Sequence, residues 1–200
     1  MRWKILGRKK KTIGLLTSCL FFIFLTGCGK SVYDTNTLCF EKDGSVIEHL
    51  AEEFDTSVYS VDEWKEEATA EITAFNETYG EDVKLTDIAY ENGVLRCTIT
   101  YPGDDAYYEL NSQPLFYGTV AQALKAGYSL LTPVHDVNTG EELSPAKLQE
   151  MSESRIVILN SATDVNTYKD ISYISSDVVV GDDHKKATIP GESTAYIVFD

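Results

Sequence analysis

The sequence predicts an α+β domain: a largely antiparallel sheet built from hairpins, with one long amphipathic helix and two short helices. Three observations carry that expectation. Asp43-Gly44 and Asn92-Gly93 each stand between strand-forming runs and supply the positive φ that tight hairpin turns need. Trp64, Ala68, Ile72, Phe75 and Tyr79 recur at spacings of four, four, three and four, which is one face of a helix. From Arg155 onward, β-branched and aromatic runs alternate with polar turns. Hairpins with helices inserted between them argue for α+β rather than a parallel α/β fold.

Taken in chain order, residues 1–27 read as a targeting segment. Arg2, Lys4, Arg8, Lys9, Lys10 and Lys11 make a basic start, and residues 13–25, IGLLTSCLFFIFL, are nearly all apolar. A spanning helix needs about 20 apolar residues, and this run ends short of that at Gly27 and Lys30. It therefore reads as a secretory signal peptide. Behind it, Leu25-Thr26-Gly27-Cys28 resembles the lipobox of bacterial lipoproteins. The resemblance implies that the Cys28 thiol accepts a diacylglyceryl group, that the signal is cut away, and that Cys28 becomes the first residue of the mature chain. Two acyl chains, palmitate among the usual ones, anchor stably where one binds only marginally. The lipid bilayer, reached through lipidated Cys28 on the extracellular face of the cell membrane, is thus the first expected partner.

Loss of residues 1–27 removes six basic residues and no acid, leaving eleven Lys and Arg against 32 Asp and Glu, a net charge of −21. A field of that sign repels nucleic acid and anionic head groups, so nucleic acid is excluded as a partner. With 43% hydrophobic residues the chain is no disordered tail, and one core without disulfide staples is expected. Cys39 and Cys97 both fall in predicted strands. A disulfide and two buried thiols are both open on sequence grounds.

Residues 28–37 hold the lipidated cysteine and a short polar tether ending in KSVYDTNT, and residues 38–200 form a single extracellular domain. Its first hairpin pairs residues 38–41 with 45–50. Ser60 and Glu63 make an S-x-x-E capping box for a helix over 61–79, which Gly80 stops. Strands over 83–90 and 94–101 follow, with Leu95, Cys97, Ile99 and Tyr101 on one side. Thr119 and Gln122 repeat the capping logic for a short helix over 120–126, and Ser144-Pro145 opens another, with proline where its missing donor costs nothing. A strand ending near His135 lies between the two short helices, and strands over 155–160, 171–180 and 194–199 complete the chain.

The motifs of chemistry are sparse. His49, His135 and His184 show no ligand spacing such as H-E-x-x-H, and the chain holds no G-x-S-x-G elbow, Cys/His motif or phosphate loop. Asp136-Val137-Asn138-Thr139-Gly140-Glu141 begins like a calcium loop, but its third ligand is missing and its glycine comes one position early, so it reads as a polar hairpin turn. Asp182-Asp183 is weaker still as a cation site. Tyr101, Tyr107, Tyr108, Phe116 and Tyr117 crowd one region, offering either half of an interior or an aromatic surface for carbohydrate or peptide. Carboxylates able to act as a hydrolytic pair leave no sequence trace. No catalytic, cofactor or metal residue is assigned, and no cofactor is called for; Cys28 is the one site residue.

The stretches DGSVIEHLAEEFDTSVYSVDEW and YISSDVVVGDDHKKATI, with the terminal AYIVF, resemble small lipoproteins of anaerobic Gram-positive, clostridia-type bacteria. Cys39 and Cys97 depart from that pattern. The resemblance implies a surface location and one α+β domain, and it adds no site residue beyond Cys28. The expected function is a membrane-anchored, non-catalytic binding or interaction domain with an unidentified envelope or extracellular partner. An envelope hydrolase using acidic residues and an accessory subunit of a membrane complex are the alternatives.

Overall fold

A computed structural model describes residues 33–191 and 193–200. The expected signal peptide, the expected lipidation site Cys28 and the first part of the expected tether lie outside the described residues. Among those described, thirteen strands and four helices alternate in the order β1 (Thr37–Phe40), β2 (Val46–Glu53), α1 (Val61–Tyr79), β3 (Lys84–Glu91), β4 (Val94–Tyr101), α2 (Asp104–Asn111), β5 (Leu115–Thr119), α3 (Val120–Lys125), β6 (Val134–Asp136), β7 (Glu142–Leu143), α4 (Pro145–Glu150), β8 (Arg155–Leu159), β9 (Thr163–Thr167), β10 (Ile171–Ile174), β11 (Val179–Val180), β12 (Lys186–Ile189) and β13 (Ala195–Phe199). The fold is α+β and largely antiparallel, as the hairpin signals predict.

Local chemistry sets the elements. The α1 capping box forms: the Glu63 amide donates to Ser60 Oγ and the Glu63 carboxylate accepts from the Ser60 amide, while Gly80 closes the helix at φ 71°. Ala68, Ile72 and Phe75 are buried, but Tyr79, in the last turn of the same face, is 55% exposed. Thr119 and Gln122 cap α3 in the same reciprocal way. Pro145 occupies the first turn of α4.

Where one sheet is expected, the structure has two. The first runs β11-β12-β9-β1-β2-β4-β3 and the second β5-β8-β13-β10-β6-β7. Every pairing is antiparallel except β1 with β9, which is parallel and places Leu38 opposite Val165. On the inner face of the first sheet stand Leu38, Phe40, Val46, Glu48, Leu50, Leu95, Cys97, Ile99 and Tyr101, as the register and the alternation of strands require. The rings of Phe40 and Tyr117 meet there at 5.0 Å, joining the inner face to the second sheet. The second sheet's far face, with Ile156, Ile158, Tyr196 and Val198, is covered by Val120 and Ala123 of α3 and Leu148 of α4. Strand β13 is consequently buried along its whole length.

Three expectations are corrected. The predicted strand over 171–180 is two strands in different sheets: Ser175 breaks it, its hydroxyl accepting from the Tyr196 amide and its carbonyl from the Val178 amide. A third short helix, α2, stands where only aromatic crowding was evident. The tether ends earlier than Thr37, because residues 33–36 are already bonded to the sheet. The cysteine question also closes. Cys39 opposes Ile47 on the outer face and Cys97 opposes Leu50 on the inner face, so the two side chains point away from each other across the sheet and remain free, buried thiols. Burial, and then the nearby Glu48 charge, push the Cys97 thiol up to about 12.

The edge strand β3 carries a bulge. Asp87 and Ile88 together oppose Cys97 alone, with Asp87 at φ 52°. In β5, an edge strand of the second sheet, Gly118 is a close-approach position: an added Cβ would lie 2.8 Å from Phe116 Cζ and 2.9 Å from Gln122 Oε1.

Two outcomes are expected. Ellman's reagent should titrate both Cys39 and Cys97 in unreduced, denatured protein and neither in the native state; failure to titrate them without reductant would mean a disulfide. Gly118→Ala should displace the Phe116 ring and loosen the Gln122 cap of α3, costing about 1–2 kcal/mol in urea unfolding.

Candidate functional site

Three places in the fold gather polar or ionisable side chains, and each is built differently. The first is the outer face of the seven-stranded sheet. Residues 33–36 cross it as a strap. Tyr33 stacks on the His49 ring at 4.0 Å and 13°, and its hydroxyl accepts from Cys39 Sγ and Asn166 Nδ2. Asp34 pairs with Arg96 at 3.1 Å, and Thr35 bonds Asp164. Asn36 accepts from the Ala51 amide and donates to Glu52. His49 Nδ1 shares a hydrogen bond with Thr98 Oγ1 at 3.1 Å. Burial under the strap lowers the His49 pKa, opposed in part by the Asp87 carboxylate.

The second place is interior. Glu48 is buried on the inner face, its Oε2 accepting from the Tyr101 hydroxyl at 2.6 Å. Asn111 Nδ2 of α2 donates to the same Tyr101 oxygen at 3.0 Å, and Tyr107 meets the Tyr101 ring edge-on at 5.1 Å. Among the described residues Asn111 Oδ1 is buried without a donor. Desolvation raises the Glu48 pKa, and the Tyr101 hydrogen bond pulls the other way without cancelling it. A protonated Glu48 loses the penalty of a buried charge while keeping Tyr101 as donor. The region that could have been an aromatic surface is thus mainly core: Tyr101, Tyr107 and Tyr117 are buried, while Tyr108 is exposed and Phe116 half-buried.

The third place is a surface depression of about 400 Å³ where the α4–β8 connection, the β9–β10 turn and the end of β13 meet. Arg155, the first residue of β8, holds its guanidinium 5.5 Å above the Tyr117 ring. Tyr168 beside it packs edge-on to Phe199 at 5.6 Å. Lys169 adds a second cation, while Glu150, Glu153 and Asp200 supply carboxylates to the lining. Sequence reading did not single out this group, because its members come from three separated segments. One sign was there: after residue 27 the chain has only two arginines, Arg96 and Arg155.

The remaining residues weighed from sequence are dispersed. His135 lies in β6 opposite Glu142, and His184 sits in a turn at φ 53°. Asp136 turns its carboxylate on its own loop, accepting from the Asn138 and Thr139 amides, and these bonds hold its pKa low. Asp183 likewise accepts from the Lys185 and Lys186 amides. Among the described residues no three His, Cys, Asp or Glu side chains are grouped to hold a metal ion, and no helix is long and apolar enough to cross a membrane. No family model, curated protein or solved structure matches the chain.

The Glu48 arrangement makes a signed prediction. A carboxyl with a raised folded pKa contributes stability that is full below the unfolded value, about 4.3 for glutamate, and is lost as pH rises through its folded value. Glu48→Gln keeps an acceptor for Tyr101 without a charge. The parent's thermal midpoint should therefore fall relative to that of Glu48→Gln as pH is raised from 4 to 8, the shared repulsion of the acidic surface cancelling in the comparison. Parallel pH profiles would show that Glu48 is not desolvated.

Proposed function

We propose that the protein is a lipoprotein held by lipidated Cys28 at the extracellular face of the cell membrane, with a single domain that acts by binding an envelope or extracellular partner. The observation that carries this reading is the strap. Five residues after the lipobox cysteine, the chain is already bonded to β2, β4 and β9 through Tyr33, Asp34, Thr35 and Asn36. At 3.3–3.6 Å per residue, that interval extends at most about 18 Å. A lipid on Cys28 would then keep the domain close to the bilayer, and a pull on the anchor would be spread over three strands. The net charge of −21 after signal removal supports a domain that stays hydrated beside anionic lipid rather than inserting into it.

An envelope hydrolase is the second reading, favoured by the raised pKa of Glu48, since a general acid needs one. Its carboxyl is closed under Tyr101 and takes no part in lining the depression, which supports a structural role instead.

Replacing Cys28 tests the anchor. Wild-type protein should partition with membranes and yield an amino-terminal peptide carrying diacylglyceryl on Cys28. Cys28→Ala should lose that mass and retain its signal peptide. A wild-type chain without the modification would overturn the reading.

A further inference from the structure

We propose that the depression at the start of β8 binds a short zwitterionic peptide, its carboxylate on Arg155 and Lys169 and its ammonium toward Glu150 and Glu153. This takes the reading of a binding domain one step further, to a ligand class. Arg155 is the starting point. In so acidic a chain an arginine is expected to find a carboxylate, and Arg96 does, in Asp34. Arg155 instead lies over Tyr117, and among the described residues no carboxylate comes within 4.0 Å of its guanidinium. The ring holds the cation in place without occupying its N–H donors, leaving a fork suited to two carboxylate oxygens.

The lining explains why the ligand should carry both signs. A simple anion meets the repulsion of the whole domain as it approaches, whereas a zwitterion has no net charge to repel. Once seated, it finds Arg155 and Lys169 for one end and Glu150, Glu153 or Asp200 for the other. Tyr168, positioned by its contact with Phe199, adds a ring to the same lining for an apolar side chain. The volume of about 400 Å³ falls at the small end of the range for ligand clefts, about 300–1,000 Å³, which suits two or three residues.

Full-length protein in detergent can be titrated by calorimetry with alanyl-phenylalanine, its N-acetylated form, its C-terminally amidated form and inorganic phosphate. The free dipeptide should bind, and each blocked form at least about tenfold more weakly, a difference of about 1.4 kcal/mol. Phosphate should bind more weakly than the dipeptide, and Arg155→Gln should abolish the dipeptide signal. Absence of dipeptide binding, equal binding of the blocked forms, or tighter binding of phosphate overturns the proposal. So does a folded Arg155→Gln that binds as the parent does. Should that variant fail to fold, Lys169→Gln decides: its exposed side chain leaves the core intact, and parental affinity overturns the proposal. A Cys28→Ala chain that loses its lipid yet binds the dipeptide separates this site from the anchor.

Discussion

Strand β1 is the piece on which the rest of the architecture depends. It is only four residues long, yet it has a neighbour on each side, antiparallel β2 and parallel β9. All four of its residues are buried. It is the seam between two parts of one sheet: β2, β3 and β4 come from the first half of the chain, β9, β11 and β12 from the last quarter. Phe40 on its inner face meets Tyr117 of the second sheet, and Cys39 on its outer face bonds the Tyr33 hydroxyl. Burying a leucine or phenylalanine stabilises by about 1.5–3 kcal/mol each, but the larger effect is topological. The register Leu38 to Val165 closes a loop of more than a hundred residues, so this pairing must come late in folding or be held by the collapsed core first.

That dependence also explains how far the sequence could be read. Elements specified by neighbours in the chain were legible: α1 by Ser60, Glu63, Gly80 and its apolar stripe, β4 by alternation, and the α3 start by Thr119 and Gln122. Elements specified by distant partners were not. Nothing near Thr163–Thr167 announces that it will lie beside β1. Residues 171–180 look continuous because the change of sheet at Ser175 is set by Tyr196, twenty-one positions away. Helix α2 was hidden by its length and by punctuation on both sides, Gly103 before and Ser112 and Pro114 after, with Ala106 and Tyr107 its only fully buried residues.

The sites follow the same division. The lipobox-like run Leu25-Thr26-Gly27-Cys28 is an expectation resting on four consecutive residues, whereas Arg155, Tyr168, Lys169 and Glu150 converge only after β8, β13 and the β9–β10 turn are assembled. Glu48 is a subtler case. In sequence it is one acid among 32, and only the register of β2 against β4 places it on the apolar face under Tyr101. There burial raises its pKa and the Tyr101 hydroxyl, donating to it, pulls the other way.

The kink at Asp87 bears on behaviour in a crowd. An eight-residue strand at the rim of a sheet offers a row of open N–H and C=O groups to any passing chain, a copy of itself included. With two residues squeezed opposite one and a left-handed step in the middle, β3 cannot run straight alongside a twin, and Lys84, Asp87 and Glu91 add charge where a second strand would lie. Molecules gathered at high density would thus slide past one another instead of zipping into fibres.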